Sequence, residues 1–365
     1  MIEVADIVRL HGPAYQAAHP LLPSQRKAMG DLVRCRTPAL GGQCWRCDRD
    51  QCRYEHYSYH SCGNRHCPKC HGQQTQRWLD QHQQRLLPCG YFLLTFTLPQ
   101  ELRPLVCSHQ KDLYGLLLRC AAAALQKLAW DPQFVGGQLA ILAVLHTWTR
   151  ALLYHPHVHL LVSAGGLSAD AKSWCPPKNP AFLVPAFALS KIFRGKFRAG
   201  LKGLGYLGQV PPAAWKAKWV VHCQHAGCGD KVLQYLGRYV FRIAISNSRL
   251  ERFENGQVTF VYRDNRTQEL KHPQLSADEF IRRFLQHILP KGFAKVRSCG
   301  LWAANSSHKL QQARRCLALD SSPPTVALHL SPRPPLPVPP AICPRCKTGH
   351  LLLVASLLPQ RTRAP

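Results

Sequence analysis

Between residues 154 and 163 the chain reads Tyr-His-Pro-His-Val-His-Leu-Leu-Val-Ser, and its alternation restricts the backbone to an extended form. Val158, Leu160 and Val162 fall on one side of a strand, and His157, His159 and Leu161 fall on the other. The apolar side needs a core to cover it. The opposite side then carries two imidazoles pointing the same way, as the ligands of one cation must.

About seventy residues on, Val232, Tyr235, Leu236, Tyr239 and Val240 recur at three- and four-residue steps, which predicts a helix with both phenols on one face. A phenol with its ordinary pKa near ~10 is a weak nucleophile at neutral pH, so attack on a phosphodiester needs a Lewis acid at the phosphate. His157 and His159 would hold that ion. Each pattern alone is commonplace, since paired histidines decorate polar strand faces and tyrosines at this spacing pack half-buried. Their joint occurrence with a cysteine cluster and strong basic charge gives them weight.

Forty-seven lysines and arginines against 19 acids leave a net charge of +28, more than solubility needs, and this favours a polyanionic partner. Nucleic acid is preferred over an acidic membrane because the basic residues are spread along the chain and no apolar run reaches the length of a membrane span. Met1-Ile2-Glu3-Val4-Ala5-Asp6 has no secretory character, so a cytoplasmic, nucleoid-associated bacterial protein is expected. Seventeen cysteines at that address argue for metal ligands and buried thiols rather than disulfides.

Residues 91–99 and 139–146 read as strands, 104–128 as a helix striped with leucine, and 191–202 as a basic helix. Asn255-Gly256 marks a hairpin, and Ser276 with Glu279 marks a capping box. The fold class expected is α+β, an antiparallel sheet carrying the histidines with helices packed over it. Three units are anticipated: a helical and zinc-binding unit over 1–88, a catalytic unit over 89–310 with an insertion at about 167–220 able to contact DNA phosphates, and a tail over 311–365 that begins with a proline-rich linker.

Cys67-Pro68-Lys69-Cys70 is a firm zinc knuckle. Its partner pair is either Cys44 and Cys47, which have the better spacing, or Cys47 and Cys52, and the four thiolates would close one tetrahedral structural site. His60, Cys62 and His66 are further ligands or neighbours. Cys343 and Cys346 are half of a zinc ribbon or two surface thiols.

The segment 59–70, then His155-Pro156-His157-Val158-His159, then Tyr235-Leu236-Gly237-Arg238-Tyr239, resembles in order and spacing the two-tyrosine HUH transposases of insertion sequence ninety-one type. The resemblance runs from about residue 25 to about residue 310. It implies a zinc-binding domain followed by an HUH nuclease domain that moves single-stranded DNA by a rolling-circle route. His157 and His159 match the ligands of a catalytic Mg²⁺ or Mn²⁺, and Tyr235 and Tyr239 match the nucleophiles that form 5′-phosphotyrosine intermediates. The family's first zinc pair falls on Cys47 and Cys52, here with two extra residues between them and Cys44 nearby, so Cys44 stays an alternative ligand. Gln234, His146 and His155, in that order, are candidates for the third cation ligand. Arg238 and Arg242 are candidates to bind DNA phosphates. Other readings of the same residues are an HUH replication initiator, a non-catalytic zinc-dependent DNA-binding protein, and a histidine-triad nucleotide hydrolase, which would have no use for the tyrosines.

Overall fold

A computed structural model of the protein describes residues 2–70, 78, 82–83, 85–179, 181–227, 232, 237, 240, 243–320 and 341–360. Helices α1 (Val4–Ala18) and α2 (Pro23–Arg34) lead into strands β1 (Gly42–Cys47) and β2 (Glu55–Tyr59). There follow β3 (Tyr91–Thr97), α3 (Arg103–Ser108), α4 (Gln110–Ala129), β4 (Gln138–Trp148), β5 (Tyr154–Leu167) and β6 (Trp174–Cys175). Next come α5 (Ala186–Gly203), α6 (Ala213–Lys216), β7 (Val220–Gly227), β8 (Leu250–Glu254), β9 (Gln257–Phe260), β10 (Tyr262–Arg263), β11 (Leu270–Lys271) and β12 (Gln274–Ser276). The described chain ends with α7 (Ala277–Leu285), β13 (Val296–Gly300), α8 (Ser307–Asp320) and β14 (Leu351–Leu357). The architecture is α+β, as expected.

The main sheet runs β13-β4-β5-β3-β7 with every neighbour antiparallel, and β6 adds to the end of β5. Helix α4 covers one face with Leu113, Leu116, Leu117, Cys120 and Ala124, all buried, against Val158, Leu160 and Val162 of β5. Each of these leucines and valines stabilises the fold by roughly 1.5–3 kcal/mol on burial. The segment expected as an insertion at about 167–220 contributes a helix to this layer. Leu189, Phe193, Phe197 and Leu201 of α5 are fully buried beside α4, and Phe193 meets Phe96 edge to face at 5.1 Å. Four-residue spacing of large apolar side chains, which commits a helix to a core, outweighs the Pro176-Pro177 signal. The basic residues Lys191, Arg194, Arg198 and Lys202 occupy the exposed side.

The opposite face of the sheet carries Leu142, Val144 and Leu161, packed with Val232, Val240, Trp302, Leu310 and Ala313. A separate core joins α1 and α2 to β8, β9 and α7 through Ile7, Met29, Leu32, Phe260, Phe280 and Phe284, so residues from both sides of position 88 share it. In that module Asn255 and Gly256 take positive φ values of 49° and 70°, the tight turn of a two-residue hairpin between β8 and β9. Ser276 Oγ accepts the Glu279 amide at 3.2 Å, while the Glu279 carboxylate turns to Arg282 and Arg283 at 2.6 Å each rather than completing the box.

At the end of β13, Gly300 has φ +59°, and a Cβ there would lie 1.9 Å from the Leu139 carbonyl oxygen. Gly300→Ala should therefore lower stability by roughly 1–3 kcal/mol, seen as a reduced urea midpoint. An unchanged midpoint would show that this approach of β13 to β4 is misdescribed.

Candidate functional site

Toward one end of β4 and β5 in the main sheet three imidazoles converge. His157 and His159 project from β5, and His146, directly across the ladder from His157, projects from β4. One ring nitrogen from each lies within 4.8 Å of the others, a spacing suited to a single cation. His157 and His146 meet at 5.5 Å between ring centroids, and His159 and His146 at 4.8 Å. His146 is 2 % exposed and stacks on Trp148, which holds its ring against rotation.

Hydrogen bonds orient the other two rings. His157 Nδ1 lies 2.7 Å from the His155 carbonyl, which can only accept, so Nδ1 carries the proton and Nε2 the lone pair. His159 Nδ1 lies 3.0 Å from Thr95 Oγ1, on the neighbouring strand β3. His155 has a different task. Arg103 donates to its Nδ1 at 2.8 Å, and burial, reinforced by that guanidinium, lowers its pKa to about 4. His155 is thus a neutral acceptor already taken, whereas His146 stands in the cluster.

The cysteines do not form the single site expected from Cys47, Cys52, Cys67 and Cys70. They divide between two quartets because the two knuckles belong to different packing units. Cys67 and Cys70 join Cys35, which ends α2, and Cys62, with sulfur separations of 3.5 Å (Cys35 to Cys70) and 3.6 Å (Cys62 to Cys70). Hydrogen bonding from the Cys67 thiol draws Cys62 down to about 5, while burial pushes Cys35 up to about 11. Cys47 and Cys52 converge instead with Cys343 and Cys346. Cys44, the alternative ligand, belongs to neither quartet. His66 Nε2 accepts the Leu289 amide at 3.2 Å, and Arg65 donates to the carbonyls of Phe293 and Pro290, which ties the first quartet to the segment leading into β13.

Tyr235, Tyr239, Gln234, Arg238 and Arg242 lie outside the described residues, as does 321–340. Their helical neighbours Val232 and Val240 are buried on the same sheet face as the histidines, beside Leu161.

Residues 140–309 match the family model described as "Putative transposase", and residues 7–98 match that described as "Transposase zinc-binding domain". The chain is 39% identical to "Putative transposase y4qJ" of Sinorhizobium fredii over 88% of its own length and 86% of that protein. It is 32% identical to "Transposase for insertion sequence element IS801" of Pseudomonas savastanoi pv. phaseolicola, over 82% and 76% respectively. The chain belongs to the IS91-type transposases. No solved structure matches it.

A transposase cleaves DNA, and the cleft around the histidines is lined by several basic side chains. Its volume is about 650 Å³, and its walls include Thr95, Thr97, Trp148, Arg150, Arg249, Arg263 and Arg266. Three of these arginines are steered by carbonyls, which leave the positive charge intact. Arg150 donates to Arg263 O at 3.0 Å, Arg249 to Val261 O at 2.8 Å, and Arg263 to Gln268 O at 2.6 Å. The cleft's acid, Asp264, is occupied by the Arg266 amide and by Lys271, which hold its carboxyl down at about 2. These arginines were missed in the sequence because they sit at turns and strand ends with no periodicity. The zinc-binding match spans Cys35, Cys62, Cys67 and Cys70, and together with their convergence supports a structural zinc ion. None of the described helices is long and apolar enough to cross a membrane.

Replacing Arg150 and Arg266, both exposed, with alanine should flatten the dependence of log affinity on log salt by about 0.7 per residue for a single strand. An unchanged slope in a salt titration would remove the cleft from the DNA path. Behind it, His287 is fully enclosed between Thr147 Oγ1 and the Leu152 carbonyl, and burial lowers its pKa to about 4. The unfolded chain takes up this proton near pH 6.5 and the fold resists it, so stability is lost as pH falls from 6.5 toward 4. His287→Gln should show a shallower loss than the parent across that window in urea titrations, and parallel curves would contradict the assignment.

Proposed function

We propose that this transposase nicks and rejoins single-stranded DNA at the ends of a mobile element through 5′-phosphotyrosine intermediates, with Tyr235 and Tyr239 as nucleophiles. The observation that carries this reading is the three-imidazole cluster on the sheet face against which Val232 and Val240, which bracket both tyrosines in sequence, are packed. His157 and His159, with His146 as third ligand in place of Gln234 or His155, would hold a divalent cation, and their anchored rings fit that task. Magnesium or manganese bound there would polarise the scissile phosphate and stabilise the charge that develops on it.

The residues themselves account for the rest. One phenol attacks the phosphorus, its O–P bond forms, the bond from phosphorus to the 3′ oxygen breaks, and that oxygen leaves as a 3′-OH carrying the proton the phenol gives up. The second phenol accepts another strand while the first stays charged with DNA. A 3′-OH then attacks a phosphotyrosine and restores the phosphodiester. Arg150, Arg249, Arg263 and Arg266 would keep the displaced strand's phosphates in the cleft. Replication initiators share such chemistry, but the zinc-binding match and both relatives favour transposition.

Incubation with a single-stranded oligonucleotide from an element end and Mn²⁺ should give a protease-sensitive covalent adduct. Tyr235→Phe/Tyr239→Phe should abolish it, and His157→Ala should reduce its rate by on the order of 10²-fold or more. Adduct formed undiminished by the doubly substituted protein would refute the phosphotyrosine route. Thr95→Val, which removes the partner of His159 Nδ1, should weaken Mn²⁺ binding by about 10-fold to 100-fold. Unaltered affinity in a calorimetric titration would show that this hydroxyl does not position the ligand.

A further inference from the structure

We infer that Cys47, Cys52, Cys343 and Cys346 bind a second zinc ion, which clasps the C-terminal end of the chain onto the N-terminal sheet. Cys343 and Cys346 lie outside both family matches, and they reach Cys52 and Cys47 across 291 and 299 residues.

Sulfur geometry identifies the ligand. Cys52 and Cys343 are 3.8 Å apart and Cys47 and Cys346 3.7 Å, with all four sulfurs inside 4.8 Å. A tetrahedral ion with Zn–S bonds of about 2.3 Å sets its sulfurs about 3.8 Å apart. A disulfide would need about 2.05 Å, so these thiols are spaced for a metal and not for each other. The backbone is shaped to the same end. Gly349 N donates to Cys346 Sγ at 3.3 Å, the N–H to sulfur bond of a knuckle, and a Cβ on Gly349 would lie 2.6 Å from Cys47 Sγ.

The fold around the quartet also calls for a fastener. Strand β14 pairs antiparallel with β1 from Gly42↔Leu357 to Cys47↔Leu351, making a three-stranded sheet with β2. Yet Leu351 is the only buried residue of β14, and Leu352, Leu353 and Val354 are 50%, 49% and 45% exposed. Among the described residues the buried cluster there is Cys47, Cys343 and Leu351, with Trp45, Cys52, Tyr54 and Cys346 partly buried against it. That is little apolar burial to hold a strand whose partner lies about 300 residues away in sequence, whereas thiolate–zinc bonds supply folding energy directly. Arg53, Arg345 and Lys347 are adjacent in sequence to these ligands and Arg49 is two residues from Cys47, so basic residues outnumber Asp48 and Asp50 around a zinc tetrathiolate of net charge −2.

The test uses the full chain purified without chelator. Zinc by atomic emission should give two ions per chain, one for each quartet. Cys343→Ser/Cys346→Ser should retain one, and its β14 amides should exchange hydrogen roughly tenfold faster or more. Two ions retained by that variant, or one ion in both proteins, would overturn the clasp. If the variant does not fold, cobalt substitution of the parent decides. Thiolate-to-cobalt absorbance corresponding to two tetrathiolate sites supports the clasp, and absorbance for one overturns it.

Discussion

The register of β5 between β4 and β3 is the constraint on which the geometry of the histidine cluster depends. Side chains alternate along a strand, so a slip of one residue would carry His157 and His159 into the helix-covered core and expose Val158 and Leu160 instead. Burial of Val158, Leu160 and Val162 beneath α4 therefore fixes the direction in which the imidazoles point. The same register brings His146 opposite His157, and Thr95 opposite His159. Hydrophobic packing on one face thus positions a polar constellation on the other.

Charge placement follows a related logic. Asp264, the acid in the cleft, is consumed by a backbone amide and Lys271, and the arginines around it are positioned by carbonyl oxygens. Such bonds fix a guanidinium without neutralising it. Under the proposed function, a phosphate backbone entering the cleft would meet cationic groups that are already ordered, which would reduce the side-chain entropy lost on binding. The zinc-binding segment contributes to this frame, because Arg65 joins it to the stretch preceding β13, at the edge of the main sheet.

What was legible in the sequence was whatever has a local period. The alternation in β5, the leucine stripe of α4 and the Asn255-Gly256 turn each report their own conformation, and each appears in the structure. His146 ranked below Gln234 as a ligand because β4 is buried on both faces and shows no alternation to mark a functional side. Cys35 stands alone in sequence, and only the packing of α2 brings it to Cys67 and Cys70. The pairing of Cys47 and Cys52 with Cys343 and Cys346 is wholly non-local, so spacing arguments assigned both N-terminal pairs to one ion. Within the segment expected as an insertion, the four-residue apolar spacing of α5 is the local signal that corresponds to its burial against α4.

The claim that a cation is held by the histidine face is tested most directly by anomalous scattering at the manganese edge from crystals of the full chain with Mn²⁺ and a single-stranded element-end oligonucleotide. We expect one strong peak within bonding distance of ring nitrogens from His146, His157 and His159, with a phosphate oxygen completing the coordination and a tyrosine hydroxyl at that phosphate. A peak elsewhere, or a phosphate bound with no metal at these rings, would contradict the assignment.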